Sequence, residues 1–249
     1  MDLLLDIGNT HTHVGLFRDG TIADRAELPT KAWFNGTMLF LLRGFCGENK
    51  VMRTAFCSVV PTAAEIARDL LNKHWGVQPF ELTCDNLYGI GIDYPAPETI
   101  GTDRLANAIA LAHYYGSPSI AVDFGTAVTF DIIDEKANYI GGIITPGLAA
   151  MTSYLHEKTA QLPCIEIREV NSVIGKNTTE AMRIGAVLGY RGLIKELLFQ
   201  IKQELHYETI PVVATGGYAE LISQKIPDIA NVDPILSLKG ILLALNNRG

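Results

Sequence analysis

Apolar and polar positions alternate over three stretches at the start of the chain. Leu3-Leu4-Leu5 leads to Ile7, then Thr12, Val14 and Leu16 alternate with His13 and Gly15, and a third run covers 21–28. A period of two marks strands, so 3–7, 12–18 and 21–28 are expected to form a meander, with Asp19-Gly20 as a hairpin turn. Helical spacing follows over 35–45, closed by Gly44 or Gly47. A strand over 52–59 leads to Pro61, which suits the first turn of a helix reaching about Trp75, with Ser58 a possible cap. A short strand, 78–82, comes next. Residues 87–102, carrying Gly89, Gly91, Tyr94, Pro95, Pro97 and Gly101, read as a linker or active-site loop. Gly101-Thr102-Asp103-Arg104 then opens a helix over 105–115, with Thr102 as its N-cap.

The second half repeats this order. Strands are expected over 120–123, 128–134 and 139–145, followed by a helix over 148–158 and an irregular stretch with Pro163 and Gly175. A long helix, capped by Thr178 or Thr179, runs to about Leu205. It contains Gly185 and Gly189, each costing roughly 1 kcal/mol against alanine. Close approach of another backbone is the expected compensation. A buried strand, 212–214, ends in Thr215-Gly216-Gly217, and helices over 218–224 and 237–246 finish the chain.

Two turns stand out against this pattern. Asp6-Ile7-Gly8-Asn9-Thr10 joins the first two strands, and Asp123-Phe124-Gly125-Thr126-Ala127 joins their counterparts. Laying Asp6 on Asp123 puts Gly8 on Gly125, Asn9 on Thr126 and Thr12 on Thr129. An acid followed by a glycine and small polar residues can bring backbone N–H groups close to a phosphate while the carboxylate holds a neutralising metal. An ordinary Gly-Asn hairpin is the alternative for either turn alone. The repetition favours duplicated domains, 1–117 and 118–249, facing each other across a cleft.

Composition narrows the function class. The chain has 249 residues, 48% of them hydrophobic, enough for two small cores. A net charge of -7, with its 20 basic residues scattered, argues against a nucleic-acid partner. Cys46, Cys57, Cys84 and Cys164 form no CxxC pair and read as reduced, mostly buried thiols of a cytoplasmic protein. No basic leader and no membrane-length apolar run is expected. His11 and His13 share a strand face but lack a third ligand, so zinc is not expected. Gly175-Lys176-Asn177 lacks the first glycine and the Ser/Thr of a P-loop. Trp33 and Trp75 read as core or interface residues rather than stacking platforms.

Five motifs taken together resemble a known family. They are Asp6-Ile7-Gly8-Asn9-Thr10, Gly101-Thr102-Asp103-Arg104, Asp123-Phe124-Gly125-Thr126-Ala127, Gly141-Gly142-Ile143-Ile144-Thr145-Pro146-Gly147 and Ala214-Thr215-Gly216-Gly217. Their order and rough spacing resemble those of type III pantothenate kinases, over the whole chain. The fold so implied is α/β, two duplicated ribonuclease H-like domains of the actin, hexokinase and Hsp70 type. Thr102 replaces a common alanine of that family, and Val128 stands where threonine is frequent; neither change removes a charge.

The resemblance implies ATP-dependent phosphorylation of pantothenate, the first step of coenzyme A biosynthesis, and assigns roles. Asp103 would be the general base, competing with a plain role as a first-turn acid. Asp6 would reach Mg²⁺ through water, and the run Ile7, Gly8, Asn9, Thr10, His11, Thr12 and His13, with Thr126, would meet ATP. Gly216 and Gly217 would lie against adenine or ribose. Tyr94, Gly101, Thr102, Asp103, Arg104 and Thr178 would form the pantothenate site, with Thr179 an alternative to Thr178. Arg104 suits a carboxylate or a phosphoryl oxygen. Asp123 would bind a monovalent cation, K⁺ or NH₄⁺. A homodimer whose interface helps close the pantothenate site, and no feedback by coenzyme A, are also implied. Another small-molecule phosphotransferase of this fold, or a non-catalytic regulatory relative, are the competing readings. Retention of Asp6, Asp103 and Asp123 favours the enzyme.

Overall fold

The computed structural model describes residues 1–247. In chain order the elements are β1 (Asp2–Ile7), β2 (His11–Arg18), β3 (Thr21–Pro29), α1 (Lys31–Phe34), α2 (Met38–Cys46), β4 (Arg53–Ser58), α3 (Pro61–Trp75), β5 (Phe80–Glu81), β6 (Gly91–Ile92) and α4 (Thr102–Tyr114). They continue with β7 (Ser119–Phe124), β8 (Ala127–Ile133), β9 (Asn138–Pro146), α5 (Leu148–Lys158), α6 (Thr178–Ile184), α7 (Tyr190–Glu204), β10 (Val212–Thr215), α8 (Ala219–Ser223), β11 (Asn231–Val232) and α9 (Leu236–Asn246). A short 3₁₀ turn, Pro97–Thr99, precedes α4, and a π-helical segment, Gly185–Gly189, joins α6 to α7.

Chain contacts define two compact units. One holds Met1–Tyr114, Lys136–Tyr139 and the stretch from Ile235 onward; the other holds Tyr115–Glu135 and Ile140–Pro234. The chain passes from the first unit to the second after Tyr114, and α9 returns to the first.

The first unit is built on a sheet of order β3-β2-β1-β4-β5. β1 pairs antiparallel with β2 and parallel with β4. Alternation sorts the β1 side chains. Leu3, Leu5 and Ile7 pack with residues of α2 and α3, whereas Leu4 joins Ala55, Cys57, Ala106, Ile109 and the apolar face of α9. Asp6 shares the parity of Leu4, so it must point to the face covered by α4 and α9. Those two helices meet through Gly240, where a Cβ would run into the backbone of Ala106.

The second unit repeats the order as β9-β8-β7-β10-β11. β7 is antiparallel to β8 and parallel to β10. Ile120, Val122 and Phe124 face a core shared with Ile194, Leu198 and Ile222, which leaves Ala121 and Asp123 on the opposite face. The first two residues of β9, Asn138 and Tyr139, pair with Gly91 and Ile92 of β6; all four belong to the first unit. No helix among the described residues is long and apolar enough to cross a membrane.

Several local expectations are corrected. The helix expected over 35–45 is α2, which starts only at Met38 because Gly36 takes φ +76° ahead of it; the short α1, before residue 35, lies outside that expectation. α3 starts at Pro61 behind Val60, and the Ser58 hydroxyl bonds the backbone of Val60 instead of capping. Asn177, not Thr178, caps α6, accepting from the Glu180 N–H at 2.9 Å. Gly185 and Gly189 bring no other backbone close: nothing lies within 4 Å of a Cβ built on either. They bound the π segment, where the helix widens by one residue per turn. Only Cys46 and Cys57 of the four thiols are buried, Cys164 being exposed. β6, inside the stretch read as a loop, and β11 are strands of two residues each that leave no period in the sequence.

Candidate active site

The turn after β1 is held from outside. The Gly8 N–H donates to the His11 carbonyl at 3.0 Å. The Thr30 hydroxyl donates to the Gly8 carbonyl at 2.7 Å, and the Thr30 N–H donates to the Thr10 carbonyl at 3.0 Å. Thr12 is fully buried, its hydroxyl 3.1 Å from that of Thr30 and accepting from the Trp33 indole at 3.0 Å. Thr12 therefore supports the turn from below rather than facing outward. Trp33 is a core residue with a polar tip, as expected for a buried indole. His11 and His13 engage Glu27, with Nδ1 to carboxylate distances of 3.2 and 3.9 Å. No cluster of three or more His, Cys, Asp or Glu among the described residues could by itself hold a metal.

The two turns are not superposable residue for residue. Asp6 pairs with His13 and Ile7 with Thr12, but Asp123 pairs with Thr129 and Phe124 with Val128. The first turn is one residue longer, so Thr12 corresponds to Val128 and His13 to Thr129. Burial explains this register: Thr12 and Val128 are both inward and buried, and a one-residue slip would turn each strand inside out. The ungapped alignment of Thr12 with Thr129 is therefore corrected.

Asp6 is 7% exposed and gripped at both oxygens. Cys57 Sγ donates to Oδ1 at 3.4 Å, and the Ser237 hydroxyl donates to Oδ2 at 2.7 Å. Both donors are neutral, and no cationic side chain pairs with Asp6 among the described residues. A carboxylate so held keeps its remaining lone pairs for an external cation. Burial, and then the negative charges of Asp6 and Asp103, push the Cys57 thiol well above its usual range, so it stays an S–H donor.

Asp103 enters from the first turn of α4. Its Oδ1 accepts from the Arg104 N–H at 2.8 Å and lies 2.5 Å from where a Gly101 Cβ would be. Thr102 is the first helical residue rather than the cap. Its hydroxyl donates to the Ser58 carbonyl and accepts from the Ser58 N–H, both at 3.0 Å, tying α4 to the end of β4. The Arg104 guanidinium stacks over the Tyr139 ring, 5.6 Å from its centre, and Tyr94 meets the same ring edge-on at 6.2 Å. Tyr139 thus joins two expected pantothenate residues. Nothing in its own sequence context marks it.

In the second unit Asp123 and Gly216 are brought together. Gly216 takes φ +90°, and a Cβ there would come within 2.6 Å of Asp123 Oδ1 and 2.7 Å of the Phe124 backbone. The Gly147 N–H donates to the Thr126 carbonyl at 3.1 Å. Thr178, at the start of α6, lines a cavity of about 1070 Å³ with Met151, Leu155, Lys176 and Met182.

The sequence profile of the type III pantothenate kinase family matches residues 2–200. The chain is similar to type III pantothenate kinases of Akkermansia muciniphila, 46% identical over 97% of each chain, and of Methylacidiphilum infernorum, 43% identical over 97% of this chain and 86% of that one. Among solved structures it resembles a provisionally assigned 2-dehydro-3-deoxygalactonokinase of Sinorhizobium meliloti, with a TM-score of 0.62 at 9% identity, covering 99% and 96% of the two chains. That likeness speaks to the fold alone: two duplicated ribonuclease H-like domains, which the matching strand orders display directly. The readings as a different small-molecule kinase or a non-catalytic relative are not favoured. The chain belongs to the type III pantothenate kinase family, whose ATP-dependent phosphorylation of pantothenate serves coenzyme A biosynthesis.

Proposed function

We propose that Asp103 is the general base of this reaction and that Asp6 faces the phosphate chain of ATP. The carrying observation is that Asp103, its Oδ1 held by the Arg104 N–H at 2.8 Å, stands in the first turn of α4, the helix that with α9 covers the face of β1 to which Asp6 points. Phosphoryl transfer asks mainly for positioning and charge stabilisation. Asp103 takes the proton from the primary hydroxyl of pantothenate as that oxygen bonds to the γ-phosphorus. The bond from the γ-phosphorus to the β,γ-bridging oxygen breaks, and ADP leaves. The N–H of Arg104 fixes Oδ1 of the base, which lowers the reorganisation needed at the moment of transfer.

Arg104, oriented by its stack on Tyr139, is assigned to the pantothenate carboxylate, with Tyr94, Gly101 and Thr102 shaping the same site. Thr178 is assigned to pantothenate as well. On the ATP side, Asn9 and Thr10 supply backbone and side-chain donors, as do Thr126, Gly216 and Gly217; Ile7 and Gly8 shape the turn, the Gly8 N–H being held by the His11 carbonyl. His11 and His13 contribute through the backbone, their rings being turned to Glu27. Asp6 fits a hydrated Mg²⁺, because its charge is held by neutral donors alone. That ion would neutralise charge on the phosphates. Asp123 fits K⁺ or NH₄⁺ as a hard oxygen donor in a corner lined by glycine.

We further propose a homodimer in the cytoplasm. Met151, Tyr154 and Leu155 of α5, all partly exposed, line the cavity that holds Thr178, an apolar surface that favours a partner there. The test of the whole reading is ADP release by purified protein given ATP, Mg²⁺ and K⁺. ADP should form when pantothenate is added and not with sugars in its place. Equal release with and without pantothenate would contradict it.

A further inference from the structure

The carboxylate of Asp6 is held by a residue 231 positions away in the chain. Ser237 sits in the first turn of α9 and donates its hydroxyl to Oδ2 at 2.7 Å. The approach of α9 is fixed independently of that bond. Gly240, one turn further on, lies so close to the Ala106 backbone of α4 that no side chain fits, and Leu238 packs against Gly15 of β2. The helix is thereby locked onto the two elements that carry Asp103 and the strand leaving the phosphate-side turn. The serine is delivered to Asp6 by rigid packing on both sides.

We propose that Ser237 is a positioning residue that sets the orientation of the Asp6 carboxylate for a hydrated divalent cation. The inference rests on the reading of Asp6 given above. A carboxylate offers about four acceptor sites on its two oxygens. Cys57 takes one on Oδ1 and Ser237 one on Oδ2, so rotation about the Cβ–Cγ bond is stopped at both ends while acceptor sites remain for metal-bound water. The thiol is a weak, long donor at 3.4 Å, so the serine supplies most of the restraint. Partners of this kind orient a ligand without touching the ion, and losing one typically costs tenfold or more in metal affinity.

The test is calorimetric titration of ATP into the full-length protein without pantothenate, once with saturating Mg²⁺ and once with EDTA. The ratio of the two affinities isolates the metal's contribution. Ser237→Ala should lower that ratio by about tenfold. Its affinity in EDTA should stay at the wild-type value, and its melting temperature should fall by only a few degrees, as expected for the loss of one hydrogen bond to a buried carboxylate. Ser237→Thr, which keeps the hydroxyl, should retain the wild-type ratio, and it carries the test should the alanine variant fail to fold. Asp6→Asn serves as the reference and should abolish the Mg²⁺ contribution. A Ser237→Ala protein with the wild-type ratio, beside an Asp6→Asn protein that has lost it, overturns the role of Ser237 alone. A wild-type ratio in Asp6→Asn overturns the reading of Asp6 itself.

Discussion

Asp103 folds back over Gly101, its Oδ1 occupying space that any larger residue at 101 would need. A Cβ at that position would also press on Val59 at 3.3 Å. The glycine is thus a steric requirement of the carboxylate's position, not of backbone strain. Gly101→Ala should move the carboxylate while leaving α4 intact. Turnover should fall by at least about tenfold, within the range that displaced catalytic groups lose, with a melting temperature within a few degrees of wild type. Wild-type kcat in this variant would show that the position of Asp103 does not limit the rate.

A second expectation concerns the monovalent cation. With Asp123 as its ligand, activity should be low in Na⁺ alone and rise on addition of K⁺ or NH₄⁺. Asp123→Ala should lose that response along with most of the activity. Steady-state rates in matched Na⁺ and K⁺ buffers read this directly, and equal rates would rule the assignment out.

Stability should depend on pH through Glu169 and Arg191. Arg191 is 4% exposed, and its guanidinium donates to both Glu169 oxygens at 2.9 and 2.6 Å and to the Leu221 carbonyl. These bonds pull the Glu169 carboxyl down to about 2 from an ordinary 4.5. A lowered pKa means the pair contributes fully above pH 4.5 and loses its contribution as pH falls through about 2. Glu169→Gln should cost about 1–3 kcal/mol near neutral pH by leaving the arginine poorly satisfied. At this chain length each kcal/mol corresponds to about 2–4 °C in Tm. The Tm difference between variant and wild type should shrink as pH drops from 5 toward 2. A constant difference would contradict the linkage.

Assembly gives a fourth expectation. Sedimentation at micromolar concentration should return about twice the 27.1 kDa chain mass. Tyr154→Glu, which places a charge on the exposed apolar surface of α5, should shift the protein toward monomer and weaken pantothenate binding. A wild-type monomer with full activity would exclude a shared site.

Much of the framework was legible because it obeys local rules. The β1 and β7 turns announce themselves through repeated Asp-x-Gly spelling, and α3, α4 and α5 through helical spacing bounded by Pro61, Gly101 and Gly147. Three features were not legible, each for a physical reason. The contact of Ser237 with Asp6 depends on where α9 packs, which no local pattern encodes. Tyr139 reaches Tyr94 and Arg104 through the pairing of a two-residue strand, too short to leave a period. The single-residue difference between the turns is invisible to an ungapped alignment and emerges only from strand register. The glycines at 185 and 189 misled because helix propensity prices a glycine without saying whether packing or helix geometry requires it.

The central claim is that Asp103 takes the proton, and Asp103→Asn tests it most directly. The amide keeps size and still accepts from the Arg104 N–H, but it cannot take up a proton at neutral pH. A first-turn acid with no chemical role would cost at most about 1 kcal/mol of stability and leave the rate nearly intact. A general base predicts a fall in kcat of roughly 10²–10⁴, or about 3–5 kcal/mol of barrier. The melting temperature and Mg²⁺-dependent ATP affinity should stay near wild type, because Asp6, Cys57 and Ser237 are untouched. The decisive measurement is kcat for pantothenate phosphorylation on protein whose fold and ATP binding have been verified. A fall of that size with both controls intact is the predicted result, and a kcat within a few-fold of wild type would contradict it.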